Sequence, residues 1–232
     1  MLAILLKLIL LLQHPILARD GIHHIRFAYE LGERSWNSVL REQTFHPGYS
    51  FTLLVASRIF EVISPGALNP DKWQWCAHLS SSLAGILLIL PLYGVARCFY
   101  SVRTARLGCC FFLLLPAVVQ ITTDALTESW YLLFTLGSLW AIIHGVRSQR
   151  SSWFVLAGLL AGIAYLFRVE ALIIPATYLV FLMLRGRSAG HWLLQGASLR
   201  NFGILTCCFL LPPLPYMMAI GKLSNRPAVQ TI

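Results

Sequence analysis

The chain has 232 residues, 57% hydrophobic and only 12% charged, and its mean hydropathy is +0.70. A soluble domain has about 25% charged residues, so a water-soluble globule is excluded and the apolar excess belongs in lipid. The net charge of +9 does not point to a nucleic-acid partner, because eight arginines in short loops between apolar runs account for most of it, and positive charge there sets membrane orientation.

Residues 1–18 form the first apolar run, interrupted by Lys7, Gln13, His14 and Pro15. It reads as a first transmembrane helix. A cleaved signal peptide is the competing reading, disfavoured because the basic amino-terminal region is almost absent and further spans follow. Residues 19–74 are the one long polar stretch, with six basic and six acidic residues and hence no net charge. Within it, Ile22, Ile25, Phe27, Ala28 and Leu31 recur at near-helical spacing, and residues 49–63 form a second amphipathic run. Both are expected to lie at the membrane interface.

Six more apolar runs follow, at 75–96, 107–122, 125–146, 153–167, 169–184 and 202–220. About 20 apolar residues cross the hydrocarbon core; several runs are shorter, so tilted helices or boundaries shifted by a few residues are expected. The fold class predicted is therefore all-α, a polytopic bundle of about seven spans with interfacial helices in the first extracytoplasmic loop. In domain terms this is a first helix at 1–18, a loop at 19–74, a six-helix bundle at 75–220 and the start of an extracytoplasmic segment at 221–232. The six cysteines show no metal-ligand spacing and read as small packing residues.

Orientation follows from the loops at 97–106, 147–152 and 185–200. They hold Arg97, Arg103, Arg106, Arg147, Arg150, Arg185, Arg187 and Arg200 and no Asp or Glu. Such loops are cytoplasmic. Residues 19–74 and the turns near Asp124 and Arg168 then face the other side.

Four charged residues interrupt the apolar part of the chain on that side: Asp124, Glu128, Arg168 and Glu170. An ionised side chain at mid-membrane costs at least about 2.5–3.5 kcal/mol on insertion scales, so such residues face a cavity or a partner. Asp124 and Glu128 share a face if their helix is continuous, whereas Arg168 and Glu170, two apart, do not. A polar cavity is the economical inference, and a structural ion-pair cluster the alternative. Asp20 stands where the first span meets the loop. It is suited either to general-base work or to starting a helix. His23 and His24 raise a metal site, but adjacent histidines on a helix diverge. His46-Pro47-Gly48-Tyr49 fits a helix start, with His46 and Tyr49 as candidate substrate contacts.

Taken in order, Asp20 after the first span, Ala28-Tyr29-Glu30-Leu31, His46-Pro47-Gly48-Tyr49, Asp124-Ala125-Leu126-Thr127-Glu128, Tyr165 to Leu172 and the tail from Pro215-Tyr216 to Asn225 resemble the GT-C polytopic glycosyltransferases. These include protein O-mannosyltransferases and the aminoarabinose transferases of lipid A. The resemblance implies an inverting transfer of a sugar from a polyprenyl-phosphate donor to a protein, lipid or glycan acceptor outside a bacterial inner membrane. It places the catalytic base at Asp20 and the cation for the leaving phosphate at Arg168. It puts Glu170, Asp124, Glu128, His46 and Tyr49 among the substrate contacts. A divalent metal stays open, because Asp20 is followed by Gly21 where many members carry an acidic pair. Members commonly continue with further spans, so the chain is expected to be an amino-terminal module. A transporter or flippase, or a non-catalytic membrane subunit, is the reading from another class.

Overall fold

A computed structural model describes residues 19–63, 69–188 and 196–225, leaving aside the side chains of 186–188. The expected first span at 1–18 and the tail from 226 lie outside the described residues. Everything described is helix, turn or coil, without a strand. Three helices come from the first polar stretch: α1 (Arg19–Glu33), α2 (Trp36–Glu42) and α3 (Pro47–Ile63). Arg34 ties α1 to α2 with two hydrogen bonds of 2.8 Å to the Glu42 carboxylate, which holds Glu42 below the usual carboxylate range.

The long apolar runs follow as α4 (Pro70–Leu87), α5 (Ile89–Phe99), α6 (Val102–Leu114), α7 (Pro116–Thr123), α8 (Glu128–Ser148) and α9 (Ser151–Phe167). After a 3₁₀ turn at Val169–Leu172 come α10 (Ile173–Ser188), α11 (Gly196–Leu210) and α12 (Leu214–Ile220). Starts follow local chemistry. The Asn69 side chain accepts the Lys72 N–H at 2.9 Å with Pro70 opening α4, and Ser101 accepts the Thr104 N–H at 3.2 Å to start α6.

By length and composition, two helical stretches are able to cross a membrane, Pro70–Phe99 and Glu128–Ser148. The number rises to four if the bent pairs α6–α7 and α11–α12 each count as one span, and α9 is a shorter apolar helix. The described residues therefore supply two to four of the expected spans rather than seven. Proline is the reason for the difference at two of them. Pro116 lacks an N–H and disfavours helix at Leu115, and the α6–α7 pair bends there by 69°. Pro212 and Pro213 stand in the 54° bend between α11 and α12. An apolar outer face suits lipid: Leu107, Phe111 and Leu114 stand exposed along one side of α6.

Helix α9 is the centre of the bundle, packed between α8 and α11. Its buried residues include five small ones, Ala157, Ala161 and Ala164 with Gly158 and Gly162, beside Phe154, Tyr165 and Phe167. A Cβ on Gly158 would stand 2.4 Å from the Leu205 carbonyl oxygen, and one on Gly162 2.3 Å from that of Phe209. Small residues four apart let two helix backbones touch, the main source of packing energy where lipid removes the hydrophobic drive. Gly48 plays the same part for α3: a Cβ there would meet the Leu166 carbonyl oxygen at 2.6 Å. The start of α3 is thus seated on the end of α9, beside Arg168.

Candidate functional site

At Arg168 the chain leaves α9 in an extended conformation, φ −150° and ψ 132°, while its N–H still bonds to the Ala164 carbonyl at 3.0 Å. Its guanidinium lies between two carboxylates. Nη1 donates to Glu128 Oε1 at 2.6 Å, and Nη2 and Nε donate to the two oxygens of Glu170 at 3.2 and 3.4 Å. The Tyr131 ring lies below it, 5.8 Å from the guanidinium carbon. Arg168 and Glu128 are partly buried and Glu170 more open, with 27%, 30% and 46% of their side chains exposed. Helical spacing kept Arg168 and Glu170 apart, but the extended residue followed by a 3₁₀ turn brings them together.

Asp124 and Glu128 do not share a helix face, because the helix is not continuous between them. Asp124 caps the carboxyl end of α7, residues 124–127 turn, and α8 begins at Glu128. Buried hydrogen bonds hold that turn from behind. His78 Nδ1 donates to the Thr123 carbonyl at 2.9 Å, Ser81 Oγ to that of Leu126 at 3.4 Å, and Ser129 Oγ to that of Ile121 at 3.1 Å. Trp130 Nε1 donates to Ser80 Oγ at 3.0 Å, and the indole stacks with Phe134 and Phe167 at centroid distances of 5.8 and 6.0 Å.

The other expected contacts are placed as follows. Tyr49 is completely buried, its hydroxyl within 2.8 Å of Ser81 Oγ and 3.1 Å of the Ala77 carbonyl. Burial pushes its phenol up, and the nearby Glu128 charge acts the same way. It stands behind the 124–127 turn, inside the protein. His46 is buried too, with Nε2 3.0 Å from Ser224 Oγ and its ring against Tyr165 and Tyr216. Asp20 lies exposed in the first turn of α1, where a carboxylate suits the helix dipole. One turn on, His24 bonds Ser50 Oγ at 3.1 Å, and His23 and His24 both pack on Phe45. Among the described residues, no three His, Cys, Asp or Glu form a group suited to a metal.

One packing cluster ties these elements together. Ala28 and Ile25 of α1, Tyr49 of α3, Ala125 of the turn, Tyr131 of α8 and Phe167 of α9 all belong to it. Helix α1, which carries Asp20 in its first turn, therefore packs at the end of the bundle that holds Arg168. A cleft of about 490 Å³ opens alongside, lined by apolar side chains including Trp36, Phe51, Phe134, Phe167 and Tyr216.

Reading the sequence missed His78, Ser80, Ser81, Trp130 and Tyr131. The signal for four of them was polarity inside an apolar run: a histidine and a serine triplet in 75–96, and an indole next to the start of α8. Tyr131, whose ring meets the guanidinium from another helix, gave no signal.

No curated protein and no solved structure matches the chain. The sequence profile of the dolichyl-phosphate-mannose-protein mannosyltransferase family matches residues 67–216. That stretch takes in Asp124, Glu128, Arg168 and Glu170 and begins after Asp20, His46 and Tyr49. A match over more than half of the chain, spanning the helices from α4 to the start of α12, makes it a member of this family of GT-C membrane glycosyltransferases.

Proposed function

We propose that the chain belongs to a glycosyltransferase that moves a sugar from a polyprenyl-phosphate carrier to an acceptor hydroxyl, with inversion, on the outer face of a membrane. The observation behind this reading is Arg168, a guanidinium at the rim of an apolar bundle, inside the family segment and beside the first loop. In the proposed arrangement seven spans carry the site and the arginine-rich loops lie in the cytoplasm.

The step forms one bond and breaks one at the anomeric carbon, and it moves one proton. The acceptor hydroxyl gives its proton to the Asp20 carboxylate as its oxygen bonds to the anomeric carbon. The bond between that carbon and the phosphate oxygen breaks, and its electron pair leaves with polyprenyl phosphate. Arg168 faces the charge that builds on the phosphate, the role of a preorganised cation. It already holds two carboxylates, so the rim carries a formal charge of −1, two carboxylates against one guanidinium. A phosphate is therefore received through the remaining guanidinium N–H groups, or with one carboxylate moving aside.

The test is transfer from labelled polyprenyl-phosphate sugars by the full natural protein in liposomes. Asp20→Asn is expected to lose nearly all turnover while still binding donor. Turnover equal to wild type would remove Asp20 as the base.

A further inference from the structure

We infer that the end of the bundle away from Arg168 holds a binding site for one anionic phospholipid, with a chain in a groove and the headgroup on Arg147 and Arg185. Helix α8 begins at Glu128 and reaches Arg147 after 19 residues, about 29 Å along its axis. There a groove of about 320 Å³ lies between the end of α5, the second half of α8 and α10. Its walls are Phe99, Ile142, Ile143, Ile174, Tyr178 and Phe181. Walls of this kind give water few partners and suit a hydrocarbon chain.

Charge at the mouth decides the headgroup. Arg147 lines the groove, exposed, with Nη2 donating to the Cys98 carbonyl at 2.6 Å and the guanidinium carbon 5.9 Å from the Phe99 ring. That bond orients the guanidinium and uses one of its five donors. Arg185 lies one turn past Phe181 of the groove wall, on the same face of α10. The three loops at this end hold eight arginines and no carboxylate. An apolar slot opening onto unopposed cations fits an amphiphile with a negative headgroup, and basic pockets between membrane helices take such lipids. A zwitterionic lipid would fill the slot equally well, but its own cationic group offsets the attraction of its phosphate to the arginines.

Native mass spectrometry of the full chain, released from micelles with equal phosphatidylglycerol and phosphatidylcholine, tests this. Wild type is expected to retain phosphatidylglycerol preferentially. Arg147→Gln and Arg185→Gln should each lower that preference about fivefold without changing phosphatidylcholine retention. Ile143→Trp, which fills the slot, should lower retention of both lipids. Equal retention by wild type overturns the inference, and so does a preference that survives in the double arginine variant. Displacement by millimolar inorganic phosphate would mean a bare anion site. Indifference to Ile143→Trp would mean that a protein segment fills the groove; either result also refutes it. If Arg147→Gln misfolds for want of its Cys98 bond, Arg185→Gln and a salt titration of wild type decide. The preference should fall as salt rises, and a salt-independent preference counts against the site.

Discussion

Arg168 shows how much one residue owes to its surroundings. Alone in the sequence it is a guanidinium in an apolar stretch, costly unless paired. In the structure it balances two carboxylates that come from different elements, Glu128 and Glu170. Removing it leaves the two acids facing one another, so Arg168→Ala should impair both folding and transfer. The double variant Arg168→Ala with Glu128→Gln separates the two effects. Its thermal unfolding temperature should recover toward wild type, while the transfer rate stays about 10²- to 10³-fold down, the range for losing one preorganised donor. Recovery of transfer together with stability would make the arginine a structural strut. Tyr49 and His46, the candidate substrate contacts, are both buried, in contact with Ser81 and Ser224 respectively. A tyrosine hydroxyl serves an internal hydrogen bond as well as an external one, and only burial distinguishes them.

At the level of elements, α9 decides where the rim residues stand. Its glycine and alanine face brings α11 into backbone contact, while Gly48 brings α3 onto the helix end. Gly162→Leu is expected to destabilise the bundle by about 1–3 kcal/mol through overpacking. Because the Phe209 carbonyl oxygen, rather than a movable side chain, occupies the space, relief requires moving α11. Gly203, whose Cβ direction is open within 4 Å, is the control: Gly203→Leu should leave the unfolding temperature close to wild type. Equal effects at the two positions would show that the close approach contributes little. The breaks in the helices were partly legible. Leu115-Pro116 and Pro212-Pro213 mark the two bends, since proline removes an N–H wherever it stands. The break at 124–127 has no proline, and the buried bonds from His78, Ser81 and Ser129 hold it.

For the whole molecule, the asymmetry of charge is the dominant feature. Eight arginines lie in three loops without an acid, whereas residues 19–74 are balanced. Single cysteines placed at Glu33 and Arg150, both exposed, in a chain whose six native cysteines are replaced by alanine, should react with an impermeant thiol reagent from opposite sides of the membrane. Glu33→Cys should label in intact cells and Arg150→Cys only after lysis; labelling from the same side would overturn the arrangement. Composition and the period of apolar residues were enough, by themselves, to establish a helical membrane protein, because lipid admits only segments that satisfy their own backbone. The ordered motifs resembled the GT-C family, while the cost of Arg168 and the acids where they stand pointed separately to a cavity or a partner. What only the tertiary structure decided was pairing. Whether Arg168 meets Glu128, whether Asp124 shares a helix with it, and on which side of the protein surface Tyr49 falls all depend on contacts between elements far apart in sequence. Residue spacing along a single helix does not contain that information.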